Sequence, residues 1–233
     1  MAANVANHLI TRYESVRARI AEACRRAGRV PEDVRLIAVT KDVPAEHMRA
    51  VASAGARRFG ENYVQEWRAK RERLADLSDV EWHFIGRLQR NKAHLAAEFA
   101  LVHSVGDEPL AVALERAGAR RGTPVNVLIQ VNVAGEMTKG GVRPADLPAL
   151  LAGLRCLAWI RVQGLMAIPP LLSPEEVRPI FRAMRALRDA QDRPEELREL
   201  SMGMSADFEA AIEEGATLVR VGRAIFGSRE EGA

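Results

Sequence analysis

Eight short β-type runs punctuate this chain: Arg35–Thr40, Arg57–Gly60, Glu81–Gly86, Leu101–Val105, Val125–Val133, Ile160–Ile168, Glu199–Met204 and Thr217–Gly222. Several are almost continuously apolar, VNVLIQVNV at Val125–Val133 being one, and this is the pattern of parallel strands covered on both faces. The intervening segments Pro44–Ala54, Glu61–Leu77, Glu108–Ala119 and Glu175–Ala190 are each long enough for a helix. Strand–helix alternation sustained over about 200 residues predicts a (β/α)8 barrel, with an open doubly wound sheet as the competing topology. An open sheet would usually need fewer strands. Before the first run, Val5, Leu9, Val16 and Ile20 recur at roughly helical spacing, with Gly28 and Pro31 marking the end of an amphipathic helix. No Ser/Gly-rich linker or composition shift divides the chain, and its longest turn-rich stretch, Ala134–Pro144, fits one strand-to-helix loop. Residues 1–233 therefore read as a single α/β domain, a TIM barrel with an extra N-terminal helix over residues 1–30.

Charge narrows the chemistry. The 34 basic residues are interspersed with 31 acidic ones, so the basic stripe of a nucleic-acid binder is missing. No apolar run approaches the roughly 20 residues of a membrane helix, and the N-terminus lacks signal-peptide features. Two cysteines, Cys24 and Cys156, are too few for a disulfide framework. A cytoplasmic protein without nucleic-acid or membrane partners is the expectation. No apolar arm or tail demands a dimer, so a monomer is expected. No pair of His or Cys has metal-ligand spacing, and neither a nucleophile elbow nor a Walker loop is present.

Of the basic residues 30 are arginines and only four are lysines: Lys41, Lys70, Lys92 and Lys139. A guanidinium stays protonated and cannot form an imine, whereas a desolvated lysine can. Barrel ligands bind at the C-terminal ends of the strands. Lys41 directly follows the first run and is in phase with Ile37 and Val39 on one strand face. Lys70 falls in the charged stretch Arg68–Arg73, read as a solvated helix face. Lys92 starts a helix, and Lys139 adjoins Gly140 and Gly141 in a loop. By position, Lys41 is the candidate amine, although a lysine that only caps the strand end and points to solvent would look the same.

The other end of the chain supplies an anion site. Ser205, after Gly203 and Met204, is placed to N-cap a helix over Ala206–Glu214, and Gly222 and Arg223 follow the eighth run. Glycines after strands seven and eight let backbone N–H groups approach a phosphate, although ordinary turn glycines would look the same. Arg220 interrupts the apolar run Leu218–Val221, so it must meet a ligand or an ion-pair partner. His83, between Trp82 and Phe84, reads as a satisfied core histidine. Asn62 reads as a turn residue or a ligand-facing amide, and Met166 as core.

Ordered along the chain, several short motifs stand at these places. They are Ala38-Val39-Thr40-Lys41, Phe59-Gly60-Glu61-Asn62-Tyr63-Val64-Gln65-Glu66 and Trp82-His83-Phe84-Ile85-Gly86, the last extended by Leu88-Gln89 and Asn91-Lys92. The spaced set Asn132, Glu136, Lys139 and Gly141 follows, then Gly164–Pro169, Leu200–Ser205 and Val219–Gly222. Together they resemble the pyridoxal 5′-phosphate homeostasis proteins from about Leu36 to Gly227.

The resemblance implies a fold-type III barrel, like the N-terminal domain of alanine racemase, carrying pyridoxal 5′-phosphate as an imine on Lys41. It implies phosphate contacts from Ser205 and from backbone near Gly222 and Arg223, with Ser201 and Gly203 close by. Asn62, His83 and Met166 would surround the ring, and Arg220 would face the pyridine nitrogen. Arg223 departs from the small hydroxyl residue common at its position in relatives, but its backbone N–H can still serve the phosphate. An arginine at the pyridine nitrogen cannot accept its proton, so the electron sink is weak. Racemisation needs an acid/base on each ring face, which the resemblance implies alanine racemase completes through a second domain. About 30 residues of this chain lie outside the barrel, so no such domain fits. The expected function is thus a non-catalytic carrier that limits free pyridoxal phosphate and supplies it to apo-enzymes. A small amino-acid racemase, or a related enzyme using the same cofactor, is the alternative. A phosphate-binding barrel enzyme without cofactor would leave the Lys41 motif unexplained.

Overall fold

The computed structural model describes residues 2–136 and 140–227. Eight strands form one closed parallel barrel in sequence order: β1 Arg35–Val39, β2 Arg58–Glu61, β3 Glu81–Phe84, β4 Leu101–Val105, β5 Val125–Gln130, β6 Ile160–Met166, β7 Glu199–Ser201 and β8 Leu218–Val221. Closure comes from β1 pairing with β8, Leu36 opposite Val219 and Ile37 opposite Arg220. The helices of the described residues are α1 Ala2–Arg26, α2 Ala45–Ser53, α3 Val64–Arg73, α4 Ala93–Ala96, α5 Glu108–Arg121, α6 Leu147–Leu154, α7 Pro174–Asp189, α8 Phe208–Glu213 and α9 Arg223–Phe226. The barrel predicted from the strand–helix rhythm is therefore the fold.

Alternation along the strands divides the apolar side chains between two cores. Ile37, Leu101, Leu128, Met166 and Leu218 form a compact layer of their own inside the barrel. Neighbours of opposite phase, Ala38, Val102, Val127, Leu165 and Val219 among them, join the larger core beneath the helices, with Trp67, Phe181 and Phe208. Strand β5 (VNVLIQ) is thus covered on both faces, the physical reason its sequence reads as an almost continuous apolar run.

Helix α1 lies outside this plan and packs against α2, α8 and α9. Leu9, Tyr13, Val16 and Ile20 are buried on one face. Its charged flank is registered by Arg19 Nε to Glu209 Oε1 at 2.6 Å and Arg26 Nε to Glu213 Oε1 at 2.7 Å. Gly28 at φ 65° then turns the chain toward β1.

Strand ends differ from the sequence reading at the mouth of the barrel. β5 stops at Gln130 and β7 at Ser201, where the pattern predicts Val133 and Met204. After β7, Gly203 adopts φ 92°, which bends the chain out of strand geometry. Likewise α3 starts at Val64 rather than Glu61, because Glu61 is the last residue of β2. The reading of Lys70 is overturned: it is not on a solvated face but is 6% exposed, turned inward against β2.

Gly164 in β6 is the tightest backbone approach in the sheet, since a Cβ there would lie 1.9 Å from the Glu199 carbonyl oxygen of β7. Gly164→Ala must push the two strands apart. The expected result is a lower urea midpoint at unchanged m-value, a loss of about 3 kcal/mol in equilibrium unfolding.

Candidate functional site

Parallel strands in a barrel deliver their C-terminal ends to one mouth, and residues from both ends of the sequence meet there. Thr40 leaves β1 buried, Lys41 is half-buried, and Asp42 turns the chain at φ 60°, the one non-glycine with positive φ among the described residues. The Lys41 amine lies 5.4 Å from the centre of the Tyr63 ring and 4.0 Å from Asp42 Oδ2. Tyr63 itself is half exposed at the rim. A cation over an aromatic face is modestly stabilised.

The turn carrying Lys41 rests on a buried polar cluster. Thr40 Oγ1 donates to Glu61 Oε1 at 2.6 Å, and the Lys70 ammonium donates to the same oxygen at 2.8 Å. Burial is the main influence on Glu61 and pushes its carboxyl pKa up, against the lowering effect of Lys70 and Thr40.

Across the interior runs a second polar chain. Arg220 of β8 points inward, 5% exposed, and donates to Ser201 Oγ at 2.6 Å and to the Ala167 carbonyl at 2.9 Å. Ser201 Oγ is 2.8 Å from His103 Nδ1, and His103 Nε2 is 3.0 Å from His83 Nδ1. Ser201 accepts from a guanidinium, so its one hydrogen is free to go to His103 Nδ1. His103 Nε2–H then donates to His83 Nδ1, an assignment that follows from the hydrogen-bond network. Burial, with help from nearby His83, Arg220 and Arg35, holds His103 well below the ordinary histidine range. Burial also lowers His83, although Glu81 opposes it. Both rings are therefore neutral at pH 7. His83 Nε2 is buried without a hydrogen-bond partner, its nearest carboxylate oxygen, on Glu81, lying 3.9 Å away.

Among the described residues no carboxylate forms an ion pair with Arg220. Burial depresses its pKa to about 10, partly offset by Asp207, so the guanidinium remains charged at neutral pH. A buried cation without a carboxylate partner costs on the order of several kcal/mol, offset here by the bonds to Ser201 and Ala167 and by the field of Asp207.

The loops after β7 and β8 form the opposite wall. Ser205 does not cap the helix that follows it, as the sequence suggested, because α8 begins only at Phe208. Instead Ser205 Oγ accepts the Ala224 N–H at 3.2 Å, joining the β7 loop to the first turn of α9. Asp207, at the N-cap of α8, makes no side-chain cap bond; its Oδ1 accepts the Met204 N–H of the preceding loop at 2.6 Å. Gly203 lies so close to α8 that a Cβ would be 2.6 Å from Ala211 Cβ. Gly222 and Arg223 open α9, with the Arg223 side chain exposed. Met166 ends β6 fully buried in the interior layer, and Asn62, half-buried after β2, has an Oδ1 without a protein partner. In the Ala134–Pro144 loop, Asn132 Oδ1 accepts the Glu136 N–H at 3.1 Å, while Lys139 lies outside the described residues.

Lys41, Asn62, Ser205, Gly222 and Arg223 thus follow strand ends at the mouth, Gly203 shapes the β7 loop, and His83, Met166, Ser201 and Arg220 point into the interior. His103 was missed, and so was the buried side of Glu61 and Lys70. The signal for His103 was a histidine in phase with Leu101 on a barrel strand.

The single closed parallel barrel is the fold of the alanine racemase N-terminal domain, whose family model matches residues 12–230. The alanine racemase of Corynebacterium glutamicum shares this fold, with a TM-score of 0.69 at 17% identity over 96% of this chain and 61% of that one. Much nearer are "pyridoxal phosphate homeostasis protein" of Aquifex aeolicus, 48% identical over 94% of this chain and 97% of its own length, and its Escherichia coli K12 counterpart, 42% identical over 96% and 98%. PipY of Synechococcus elongatus, solved with pyridoxal phosphate bound, superposes with a TM-score of 0.78 at 42% identity, covering 89% of this chain and all of that one. The chain belongs to the pyridoxal phosphate homeostasis protein family.

The neutral histidines give a pH signature. Unfolded, His103 takes up a proton in the ordinary histidine range; folded, it does not, so the unfolded state binds more protons as pH falls. Stability is full above that range and drops below it, by up to about 1.4 kcal/mol per pH unit for each histidine kept neutral. Urea unfolding between about pH 7 and 5 is expected to show this slope, and His103→Gln to flatten it relative to the parent.

Proposed function

We propose that this mouth holds pyridoxal 5′-phosphate as an imine on Lys41, and that the protein is a carrier that limits the free aldehyde and supplies it to apo-enzymes. The observation that carries the reading is Arg220, a buried guanidinium with no carboxylate partner among the described residues. It suits a neutral ring nitrogen with a lone pair to offer. When bound, the cofactor supplies an aldehyde that condenses with amines and a ring that withdraws electrons from the resulting bond. Because arginine donates and cannot accept a proton, Arg220 would leave the ring nitrogen unprotonated and that withdrawal weak. Ser201, fixed between Arg220 and His103, holds the guanidinium in place.

The remaining residues fit the same ligand. Ser205 and the N–H groups of Gly222 and Arg223 would receive the phosphate, where a short helix begins and backbone donors lack intrahelical partners. Gly203 keeps that loop close, Met166 would pack beneath the ring, and Asn62, with its unpartnered Oδ1, and His83 would line its edge. The names of the relatives support a homeostatic role, and PipY binds the same cofactor. Residues 1–233 would act as one domain, a cytoplasmic monomer needing no nucleic acid or membrane. Among the described residues no helix is long and apolar enough to cross a bilayer.

Borohydride reduction of the pyridoxal-phosphate-loaded protein, followed by peptide mapping, is expected to place the label on Lys41. Lys41→Ala is expected to lose the imine absorbance band; an unchanged spectrum would sink the assignment. Incubating the loaded protein with L-amino acids is expected to yield no D-isomer, and robust turnover would favour the racemase reading instead.

A further inference from the structure

Both peptide groups that flank Lys41 are held by a single turn of α3. On the N-terminal side, the Lys70 ammonium donates to the Thr40 carbonyl. On the C-terminal side, Glu66 Oε1 accepts the Asp42 N–H at 2.6 Å. The two side chains are also joined to one another, Lys70 Nζ to Glu66 Oε1 at 2.5 Å. They stand four residues apart on one helix face, the spacing at which side chains meet. The third hydrogen of the ammonium goes to Glu61 Oε1, which also accepts from Thr40 Oγ1. All three donors of Lys70 are therefore engaged.

We propose that Glu66 and Lys70 are positioning residues for Lys41, a clamp that fixes the Thr40–Asp42 turn and so sets where the Lys41 amine meets an aldehyde. The proposal rests on the reading of Lys41 given above. Burying an ammonium with two carboxylates is a poor way to gain stability, because apolar residues of similar volume often do as well or better. What apolar residues cannot do is hold a carbonyl and an N–H on either side of one lysine. Asp42 at φ 60° lies in the left-handed region, which aspartate tolerates better than most non-glycine residues, and the Val43 N–H closes the turn on the Thr40 carbonyl at 2.9 Å. The Glu66 bond to the Asp42 N–H adds a restraint from outside the turn. The pair touches the backbone rather than the amine, so it acts on the approach of the nitrogen. Imine formation itself joins the Lys41 nitrogen to the aldehyde carbon and releases the aldehyde oxygen as one water.

The test uses the full-length chain with Lys70→Met, Lys70→Arg and Glu66→Ala, the last the milder change should Lys70→Met fail to fold. In apo-protein, Glu66→Ala is expected to speed amide exchange at Asp42 at least tenfold while the rest of the barrel exchanges as before. With pyridoxal 5′-phosphate, each variant is expected to form the imine at least tenfold more slowly. Affinity for pyridoxine 5′-phosphate, which has no aldehyde, should stay within about twofold. Lys70→Arg should not rescue the rate, because a planar fork cannot reproduce three divergent donors. Parental imine rates in folded variants, or parallel losses in rate, analogue affinity and melting temperature, would overturn the clamp. Borohydride label on a lysine other than Lys41 in the parent would overturn the reading of Lys41, and the Asp42 exchange result would still report on the clamp's grip.

Discussion

Pairing of the first strand with the last is the constraint on which the site depends. Lys41 and the Ser205–Arg223 loops stand more than 160 residues apart in sequence, so no single local segment carries both. Hydrogen bonding of β1 to β8, Ile37 opposite Arg220, brings the amine and the guanidinium to adjacent strands. Such contacts carry a loop-closure cost that only a completed barrel repays. The binding geometry is therefore a property of the closed sheet as a whole.

Within that frame the interior is built in two chemical layers. Ile37, Leu101, Leu128, Met166 and Leu218 fill it with hydrocarbon, and the chain Arg220–Ser201–His103–His83 crosses it with polar groups. Such a chain is acceptable inside a protein because nearly every member is satisfied by the next. Its charge sits at one end only. Both imidazoles are kept neutral so that Arg220 meets no second cation.

How much of this was legible in the sequence follows from which forces act locally. The barrel could be read because two-sided burial leaves continuous apolar runs such as Val125–Gln130, and Lys41 because it continues the phase of Ile37 and Val39. Lys70 misled because its neighbours Arg68, Arg71 and Arg73 truly are solvent-facing, and only the partners Glu61 and Thr40, supplied by other elements, turn it inward. Ser205 was assigned to the wrong helix for a similar reason. Its N–H donor, on Ala224, comes from the first turn of a helix nineteen residues later, whereas the local pattern shows only a polar residue ahead of α8. His103 went unread because one histidine in LVHSV has no local mark of the neighbours it will find across a barrel.

The near absence of lysine has a consequence for selectivity. A phosphorylated aldehyde reacts with any accessible primary amine, so a protein handling one risks decorating its own surface. Here arginine supplies most of the positive charge, and its guanidinium does not condense at neutral pH. Lys70 is walled in with every hydrogen engaged. Among the described residues that leaves Lys92, half-buried, as the one other lysine side chain to compete with Lys41. Most of the positive charge is thus carried by groups that do not condense with an aldehyde, and packing shields one of the four lysines.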